Sequence, residues 1–448
     1  MRVMKWSMIA LAVAAAASTQ VATAAPFVSD QAEAKGFVED SSLNLLVRNY
    51  YFNRDNKDGA RDVKDWTQGL WGTYNSGYTQ GTVGVGVDAF GYLAIKLDGG
   101  DGTSGSGNMS RSDTVNANGG RNVNDSQGKA GAAIKFRVSK TELKIGDMSP
   151  STAPVFAVGG SRILPQVASG IQLQSSEVKD LDLEAGHFYS GSSQDKNSRD
   201  GDLFANYAGV KAKSMDYFGG KYGITDNLSA SLYGAQLEDI WNQYYANVNL
   251  TTPFGGDTSL NTDFNIYRTT DTGDSKAGDI SNTAFSLATA LSFLKAHTIT
   301  LAFQKVNGDT PFDYVGIGKN NRGGDSIFLA NSIQYSDFNA PGEKSAQIRY
   351  DLKMAEYGVP GLSFMTRYVK GWDIDGTKTP AGSAYTGLYG EDGKHNETNF
   401  EAKYVVQSGP AKDLSVRFRQ AWHFANADEG EGDVKEFRLI VDYPISVL

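Results

Sequence analysis

The chain has 448 residues, a formal net charge of −9 and no cysteine. The negative charge argues against a nucleic-acid partner, because binding phosphates requires a basic surface, and the lack of cysteine excludes disulfides and thiolate chemistry. Beyond the N-terminus no charge-free apolar run approaches the roughly 20 residues of a membrane-spanning helix, so helical membrane proteins are excluded. Two classes remain open: a large secreted or periplasmic β protein, and a transmembrane barrel whose lumen-facing residues lower the hydropathy.

The N-terminus has the layout of a secretory signal. Arg2 and Lys5 precede an apolar stretch over 8–17, and Ala22 and Ala24 provide the small residues of a cleavage site. An uncleaved membrane anchor is the alternative, but the apolar stretch is much shorter than a spanning helix. We therefore predict a signal peptide over residues 1–24 and a mature chain over residues 25–448.

Apolar and polar residues alternate along most of the mature chain. Between Val83 and Leu97 the apolar residues fall on alternate positions, and a period of two indicates a β-strand rather than a helix. The same alternation recurs near 43–53, 131–138, 141–147, 180–188, 228–236, 283–292, 297–305, 346–353, 362–369, 399–407, 414–424 and 435–443. With weaker segments between these, the pattern predicts an all-β chain of about eighteen to twenty strands.

The connections between these strands are of two kinds. Short ones lie at 139–140, 294–296, 358–361 and 408–413, and long glycine-rich ones lie at 98–130, 306–327 and 371–398. Transmembrane barrels place short turns on the periplasmic side and long loops outside. Since no linker interrupts the pattern, we expect residues 25–448 to form one antiparallel barrel domain. The acidic run from Leu97 to Asn108 lacks the ligand spacing of a calcium loop, so we favour an exposed loop and predict no metal.

Basic residues occupy the face opposite the apolar one on the first and last strands. Along 414–424, Arg417 and Arg419 alternate with outward-facing apolar residues. Other basic residues with the same placement are Arg48, Arg54, Lys135, Arg137, Arg349, Arg367, Lys403 and Arg438. Because the two ends of a closed barrel are neighbours, we expect the basic side chains of these strands to converge on one wall. For each of them the alternative is an ion pair with a nearby Asp or Glu.

A column of positive charge inside a narrow channel focuses the electric field and attracts carboxylates. We therefore predict that the barrel passes small polar solutes that carry a carboxylate. The segment 147–170 is too long and too apolar for an exposed loop, and we interpret it as a loop folded into the lumen, with Arg162 at the constriction. The alternative is that its apolar residues pack against the wall and Arg162 only fixes that packing.

Six longer motifs mark the mature chain. They are F-V-S-D-Q-A-E-A-K-G-F at 27–37, T-A-P-V-F-A-V-G-G-S-R at 152–162, L-D-L-E-A-G-H-F at 181–188, G-D-S-I-F-L-A-N-S at 324–332, Q-Y-S-D-F-N at 334–339 and E-A-K-Y-V-V-Q-S-G-P-A-K-D-L-S at 401–415. In these motifs the chain closely resembles the OprD family of substrate-specific porins, and the likeness runs from the mature start to the last residue.

The resemblance implies a barrel of about 18 strands in a Gram-negative outer membrane, often trimeric and without a cofactor. It implies a basic ladder that guides the substrate carboxylate through a narrow eyelet, at Arg54, Arg162, Lys403, Arg417, Arg419 and Arg438. It also implies an electronegative pocket for the amino group, at Tyr207, Tyr314, Tyr335 and Asp337. Basic amino acids, small peptides and carbapenems are the expected solutes, and outer-membrane lipid and the barrel-assembly machinery are further expected partners.

Two other functions remain open. His187, Asp239 and Ser326 supply the residue types of a hydrolase triad, although no G-x-S-x-G elbow surrounds Ser326. A barrel with serine-protease activity is therefore one alternative. The other is a closed structural barrel, and small inward residues such as Gly84 and Gly86 argue against it because they leave room for water.

Overall fold

The structure is a computed structural model that describes residues 26–57 and 59–448, so the predicted signal peptide lies outside the described residues. In chain order, the first strands are β1 (Ser42–Asn56), β2 (Val63–Asn75), β3 (Val83–Gly99), β4 (Arg111–Val115), β5 (Arg121–Val123), β6 (Ser126–Val138), β7 (Thr141–Met148), β8 (Val167–Ser175), β9 (Leu181–Ser192), β10 (Leu203–Ala205), β11 (Val210–Ala212) and β12 (Met215–Thr225). The remaining strands are β13 (Leu228–Leu237), β14 (Trp241–Gly255), β15 (Thr258–Asp271), β16 (Ser281–Phe293), β17 (His297–Asn307), β18 (Val315–Ile317), β19 (Arg322–Gly323), β20 (Lys344–Lys353), β21 (Leu362–Asp375), β22 (Glu391–Val405), β23 (Ser415–Ala425) and β24 (Val434–Ser446). Two short 3-10 helices lie at Gln31–Glu33 and Met354–Tyr357.

Eighteen of these strands form one closed antiparallel sheet. Neighbours in the sheet follow one another along the chain, and β24 returns to β1, with Asn44 opposite Ser446 and Asn56 opposite Val434. The predicted all-β barrel is confirmed, and its first and last strands are neighbours. Over the described residues, the other strands lie in the loops, where β10, β11, β18 and β19 make a small sheet and β4 pairs with β5.

Alternation sorts the side chains between an outer and an inner face. On β23, Val416 and Phe424 are exposed outside, whereas Ala421 and His423 are fully buried inside. Exposed apolar residues on the outer face, such as Leu232 and Ile348, form the lipid-facing band of an outer-membrane barrel. Within 26–57 and 59–448, no helix is long and apolar enough to cross a membrane.

The two ends of the barrel differ in the length of their connections. Short turns such as 139–140, 226–227 and 294–296 lie at one end, and long loops such as 100–125, 193–214 and 308–343 lie at the other. The beginning of β1 and the end of β24 lie at the turn end. This division is the predicted one, and the turn end is the periplasmic end.

Some predicted loop boundaries were wrong. Residues 371–375 and 391–398 belong to strands, so the predicted loop 371–398 shrinks to 376–390. Their polar composition conceals the strands, because these segments pair with each other without a regular apolar face. The predicted loop 306–327 extends to residue 343, and most of it is buried inside the barrel rather than exposed.

The space beside two inward glycines is occupied, contrary to the prediction that it holds water. A Cβ at Gly84 would collide with the side chain of Gln31, and one at Gly86 would collide with that of Lys135. Gln31 belongs to the segment before β1, and its Nε2 donates to the carbonyl oxygen of Thr79 over 2.9 Å. The N-terminal segment therefore packs against the inner face of β3 at the periplasmic end, where Gly84 admits the side chain of Gln31 and Gly86 admits that of Lys135.

Inward-facing aromatic residues fill one side of the barrel, along β9 and β12–β15. Ring centroids are 6.4 Å apart for Tyr233–Tyr245 and 4.7 Å apart for Tyr245–Tyr267. The hydroxyls have partners, as in the 2.8 Å hydrogen bond that Tyr233 donates to Glu184. We call this side, β9 with β12–β15, the aromatic wall. The wall across from it, β20–β24 with β1, carries most of the predicted ladder and is called the basic wall.

Candidate functional site

Residues 149–166, between β7 and β8, form a constriction loop that crosses the lumen. At one side the Tyr267 hydroxyl on β15 donates to the carbonyl oxygen of Pro154 over 3.1 Å. At the other, Nε1 of Trp71 on β2 donates to the carbonyl oxygen of Ile163 over 2.6 Å. Because β2 and β15 stand opposite each other in the eighteen-stranded ring, the loop spans the barrel. The predicted segment 147–170 was slightly too long, since its ends belong to β7 and β8.

Arg48 on β1 fastens the part of this loop that carries Arg162. Its Nη1 donates to the carbonyl oxygens of Gly160, over 3.1 Å, and of Arg162, over 2.7 Å. Its Nε and Nη2 bind the carboxylate of Asp442 over 2.7 and 3.0 Å. Ile163 beside it is fully buried. Apolar packing and Arg48 therefore hold the loop backbone in place. The Arg162 side chain is not needed for this and is free to make other contacts.

Three guanidinium groups converge on the buried ring of Phe52, since Arg54, Arg162 and Arg438 lie 5.5, 5.6 and 5.6 Å from its centroid. Arg438 on β24 stands directly opposite Phe52 on β1. Arg162 comes from the constriction loop, and its Nε donates to the carbonyl oxygen of Ser106 over 2.8 Å. Burial and the nearby Arg438 lower the pKa of Arg162 to about 10, so this guanidinium remains charged at neutral pH.

Two carboxylates on the basic wall, those of Glu436 and Glu401, are each shared by two arginines. Glu436 accepts hydrogen bonds from Nη2 of Arg54 and from Nε of Arg438, both over 2.6 Å. Glu401 lies 3.5 Å from Nε of Arg417 and 3.1 Å from Nε of Arg419. Ion pairs of the kind considered from the sequence are therefore present. They leave the wall with more positive than negative charge, because each of these acids serves two bases.

Arg419 is incompletely satisfied. Its Nε is buried and makes no well-formed hydrogen bond to any described residue. Across β23 and β24 it stands directly opposite Arg438. Like charges placed opposite each other destabilise a strand pair, so an anion bound between them would relieve the repulsion.

A cavity of about 620 Å³ lies on the periplasmic side of the constriction loop. Its lining includes Arg349, Lys403, Arg417 and Arg419, together with Ser161 of the constriction loop. Lys403 stands opposite Arg417 across β22 and β23. In the part of the chain that the structure describes, Lys403 makes no ion pair. The cavity therefore offers a series of cations on one wall.

Asp337 forms an acidic site on the long loop 308–343. Its Oδ2 accepts hydrogen bonds from the hydroxyls of Tyr207, over 2.8 Å, and Tyr314, over 2.9 Å. Its Oδ1 accepts one from Ser332 over 2.6 Å. The backbone N–H of Asp325 on the same loop donates to the carbonyl oxygen of Ala157 over 3.0 Å. The loop with Asp337 is thus held against the constriction loop with Arg162.

Tyr335 lies apart from the other tyrosines of the predicted pocket. Its hydroxyl donates to the carbonyl oxygen of Glu431 over 3.1 Å. The Arg54 guanidinium lies 4.9 Å from the centre of its ring. Tyr335 therefore contacts the basic wall, although only Ser336 separates it from Asp337 in the loop.

Sequence reasoning missed several residues of this site. Phe52 was visible as an inward residue between Arg48 and Arg54 on β1, and Glu436 as one next to Arg438 on the inner face of β24. The alternation along β1 and β24 therefore already places Phe52 and Glu436 on the inner face. The role of Ser106 had no such signal, because it depends on how the loop 100–125 folds inward.

The residues of the alternative triad do not meet, so that site was wrong. His187 lies on the outer face of β9, where its Nδ1 is 2.7 Å from Asp216. Asp239 binds Lys276 in an external loop. Ser326 is buried in the long loop, and its Oγ donates to the carbonyl oxygen of Ala157 over 3.2 Å. Residue types alone cannot predict a triad, because three distant segments must converge on one point.

A closed barrel with an apolar outer band and a constricted, charged lumen is an outer-membrane channel. A family model described as outer membrane porin, OprD family, matches residues 35–447. The chain therefore belongs to the OprD family, and it is a substrate-specific porin of the outer membrane.

Individual relatives agree with this assignment. The chain is 65% identical to Porin D of Pseudomonas aeruginosa, with all of both proteins covered. It is 36% identical to the Porin-like protein GalP of Pseudomonas putida, over 93% of this chain and 95% of the relative. The crystal structure of Pseudomonas aeruginosa OprD superposes with a TM-score of 0.83 at 63% identity, covering 94% of this chain and all of that one. These relatives are channels rather than enzymes.

Proposed function

We propose that this porin passes small solutes that carry both a carboxylate and an amino group, above all basic amino acids and small peptides, and also carbapenem antibiotics. The observation that supports this most strongly is the uneven charge of the basic wall. There Glu436 and Glu401 each serve two arginines, and Lys403 makes no ion pair among the described residues. The surplus cations are matched to a solute carboxylate.

The proposed path runs along the basic wall. A carboxylate enters past Arg54, Arg162 and Arg438 around Phe52 and then reaches Arg419, Arg417 and Lys403 in the cavity below. Arg417 and Arg419 are two residues apart on one strand, which separates them by about 7 Å. Each stop must bind weakly enough to release the solute, because conduction fails when one well is too deep. The carboxylates of Glu436 and Glu401, each shared by two arginines, compete with the solute and keep the wells at those four arginines shallow.

The amino group is proposed to face Asp337. Tyr207 and Tyr314 donate their hydroxyl hydrogens to this carboxylate, so their oxygen lone pairs remain available to a cation. The charges of the acidic site and the basic wall then orient a zwitterionic solute in the eyelet. A related crystal structure, Pseudomonas aeruginosa OpdK with vanillate at 34% identity, contains a small carboxylate-bearing ligand.

Export and assembly belong to the same proposal. The signal peptide is removed after Ala24, the barrel-assembly machinery inserts residues 25–448, and the apolar outer face contacts outer-membrane lipid. Three copies form the trimer expected from the family resemblance.

Replacing Asp337 with Asn tests the proposed orientation. A hydrogen bond to a charged group contributes about 1.5–3 kcal/mol, so we expect arginine and lysine flux into proteoliposomes to fall by roughly tenfold or more. Flux of neutral amino acids should change much less. Ser332→Ala is the matched control, because it removes a partner of Asp337 and keeps the charge. An equal loss for basic and neutral amino acids would show that Asp337 is structural.

A further inference from the structure

Two histidines and two glutamates meet at the extracellular end of the basic wall. His395 is on β22, His423 is on β23, and Glu429 and Glu431 lie in the loop 426–433 that joins β23 to β24. One oxygen or nitrogen from each side chain lies within 4.8 Å of the others. We propose that these side chains form a binding site for a divalent transition-metal ion, with Zn²⁺ the best match. Passage of solutes does not require such a site, so the proposal stands apart from the transport function.

The hydrogen bonds of the imidazoles fix which nitrogens face each other. Nδ1 of His423 is 2.8 Å from the carbonyl oxygen of Gly432, which can only accept, so this nitrogen carries a hydrogen. Nε2 of His395 is 2.7 Å from Oε1 of Glu343 and donates to that carboxylate. The remaining ring nitrogens, Nδ1 of His395 and Nε2 of His423, are 2.9 Å apart. With the second nitrogen of each ring donating in this way, both of these nitrogens carry lone pairs when the rings are neutral, and a cation between them satisfies both.

The carboxylates favour a metal ion over a single proton as that cation. Oε1 of Glu429 is 3.3 Å from Nδ1 of His395, and Oε2 of Glu431 is 3.7 Å from Nε2 of His423. Oε2 of Glu431 is buried and accepts no hydrogen bond from the described residues. Four ligand atoms around tetrahedral Zn²⁺, at bonds of about 2.0–2.1 Å, are separated by roughly 3.4 Å. The observed spacing needs only small side-chain movements to reach that geometry.

The surroundings also match a metal site. The side chains of His395, His423 and Glu429 are at most 2% exposed. Metal-binding histidines almost always donate their second N–H to a carboxylate or a backbone carbonyl, as His395 does to Glu343 and His423 does to Gly432. Two neutral imidazoles and two ionised glutamates would together carry two negative charges, which a divalent cation balances.

The ligand types select the metal. Imidazole nitrogen suits zinc, copper and nickel, whereas calcium and magnesium prefer all-oxygen sites. A tetrahedral arrangement of two nitrogens and two oxygens is one that zinc adopts readily. The site also contacts the eyelet, since the ring of Tyr335 lies 4.9 Å from that of His423 and its hydroxyl binds the Glu431 carbonyl.

Cobalt absorption gives the most direct test. The mature full-length protein, without a histidine tag, is folded in detergent, treated with a chelator and titrated with CoCl₂. We expect one Co²⁺ per chain, intense visible bands of a tetrahedral complex, and loss of those bands when ZnCl₂ is added.

His423→Gln and Glu431→Gln should each weaken Co²⁺ binding by roughly 100-fold or more, since changes even to outer partners cost about 10–100-fold. His187→Gln is the control, because it removes one of the four histidines of the chain far from the cluster. Glu431→Gln leaves both imidazoles in place, which guards against misfolding in the His423 variant, and heat-modifiable migration in gels verifies folding of each. A folded wild-type barrel that binds no Co²⁺, or one whose binding survives both substitutions, would overturn the proposal and leave a proton between the imidazoles.

Discussion

The aromatic wall and the basic wall have the same backbone and the same alternation, but their inner faces have opposite properties. On the aromatic wall, Tyr233, Tyr245 and Tyr267 pack ring against ring and exclude water. On the basic wall, Arg419 faces Arg438, and the guanidinium groups have fewer carboxylates than they need. Aromatic packing on one wall and Arg48 on the other hold the constriction loop in the lumen, and unbalanced charge on the basic wall remains for a solute. The fold thus largely separates stability from selectivity.

Disrupting the packing on the aromatic wall should have the largest effect on conductance and stability. Phe156 of the constriction loop is fully buried and stacks on Phe188 at 4.6 Å between ring centroids. Phe156→Ala should cost about 3–5 kcal/mol of packing, so the loop should leave its seat. We expect single-channel recordings to show a larger and noisier conductance, together with a lower temperature of heat modification.

Leu388→Ala is the matched control for this variant, because Leu388 lies in the loop 376–390 and is 38% exposed. It should leave both measurements unchanged. An unaltered conductance in Phe156→Ala would mean that Arg48 and the loop backbone hold the constriction without aromatic packing.

Removing an acidic residue from the basic wall should have a smaller effect. The expected shift in ion selectivity is opposite in sign to the shift expected when an arginine is removed. Glu401 partly neutralises Arg417 and Arg419. Glu401→Gln therefore raises the positive charge of the cavity, and we expect the reversal potential in a salt gradient to shift towards anion preference, with conductance nearly unchanged. Glu391→Gln, at the external end of the same strand and exposed, is the control. A shift towards cation preference would contradict the charge assignment.

The sequence was sufficient to predict the barrel and the orientation of its arginines. A period of two identifies strands and their faces, so the sequence alone places Arg417, Arg419 and Arg438 on the inner face. Closure of the barrel then joined β24 to β1 and brought Arg438 beside Phe52. These features depend only on local pattern and on the order of the strands.

The long loop 308–343 and the histidine cluster could not be predicted in the same way. The loop 308–343 has the polar, glycine-rich composition of an exposed segment, yet its buried part places Asp337 beside Tyr207 and Tyr314. The cluster at His395 and His423 was missed because it depends on the register of β22 against β23, in which Glu397 rather than His395 stands opposite His423. The register of these strands and the fold of this polar loop are tertiary properties that residue type and spacing do not determine.

Replacing both arginines that share Glu401 tests most directly whether the basic wall guides the solute. We expect the double variant Arg417→Gln and Arg419→Gln to fold with unchanged heat modification, since neither side chain belongs to the packed aromatic core. In a planar bilayer its reversal potential should shift towards cation preference, and arginine flux should fall on the order of tenfold, in line with the loss of charged hydrogen bonds. If reversal potential and arginine flux both stay at the wild-type values, these side chains are only ion pairs of the wall, and the basic wall does not guide the solute.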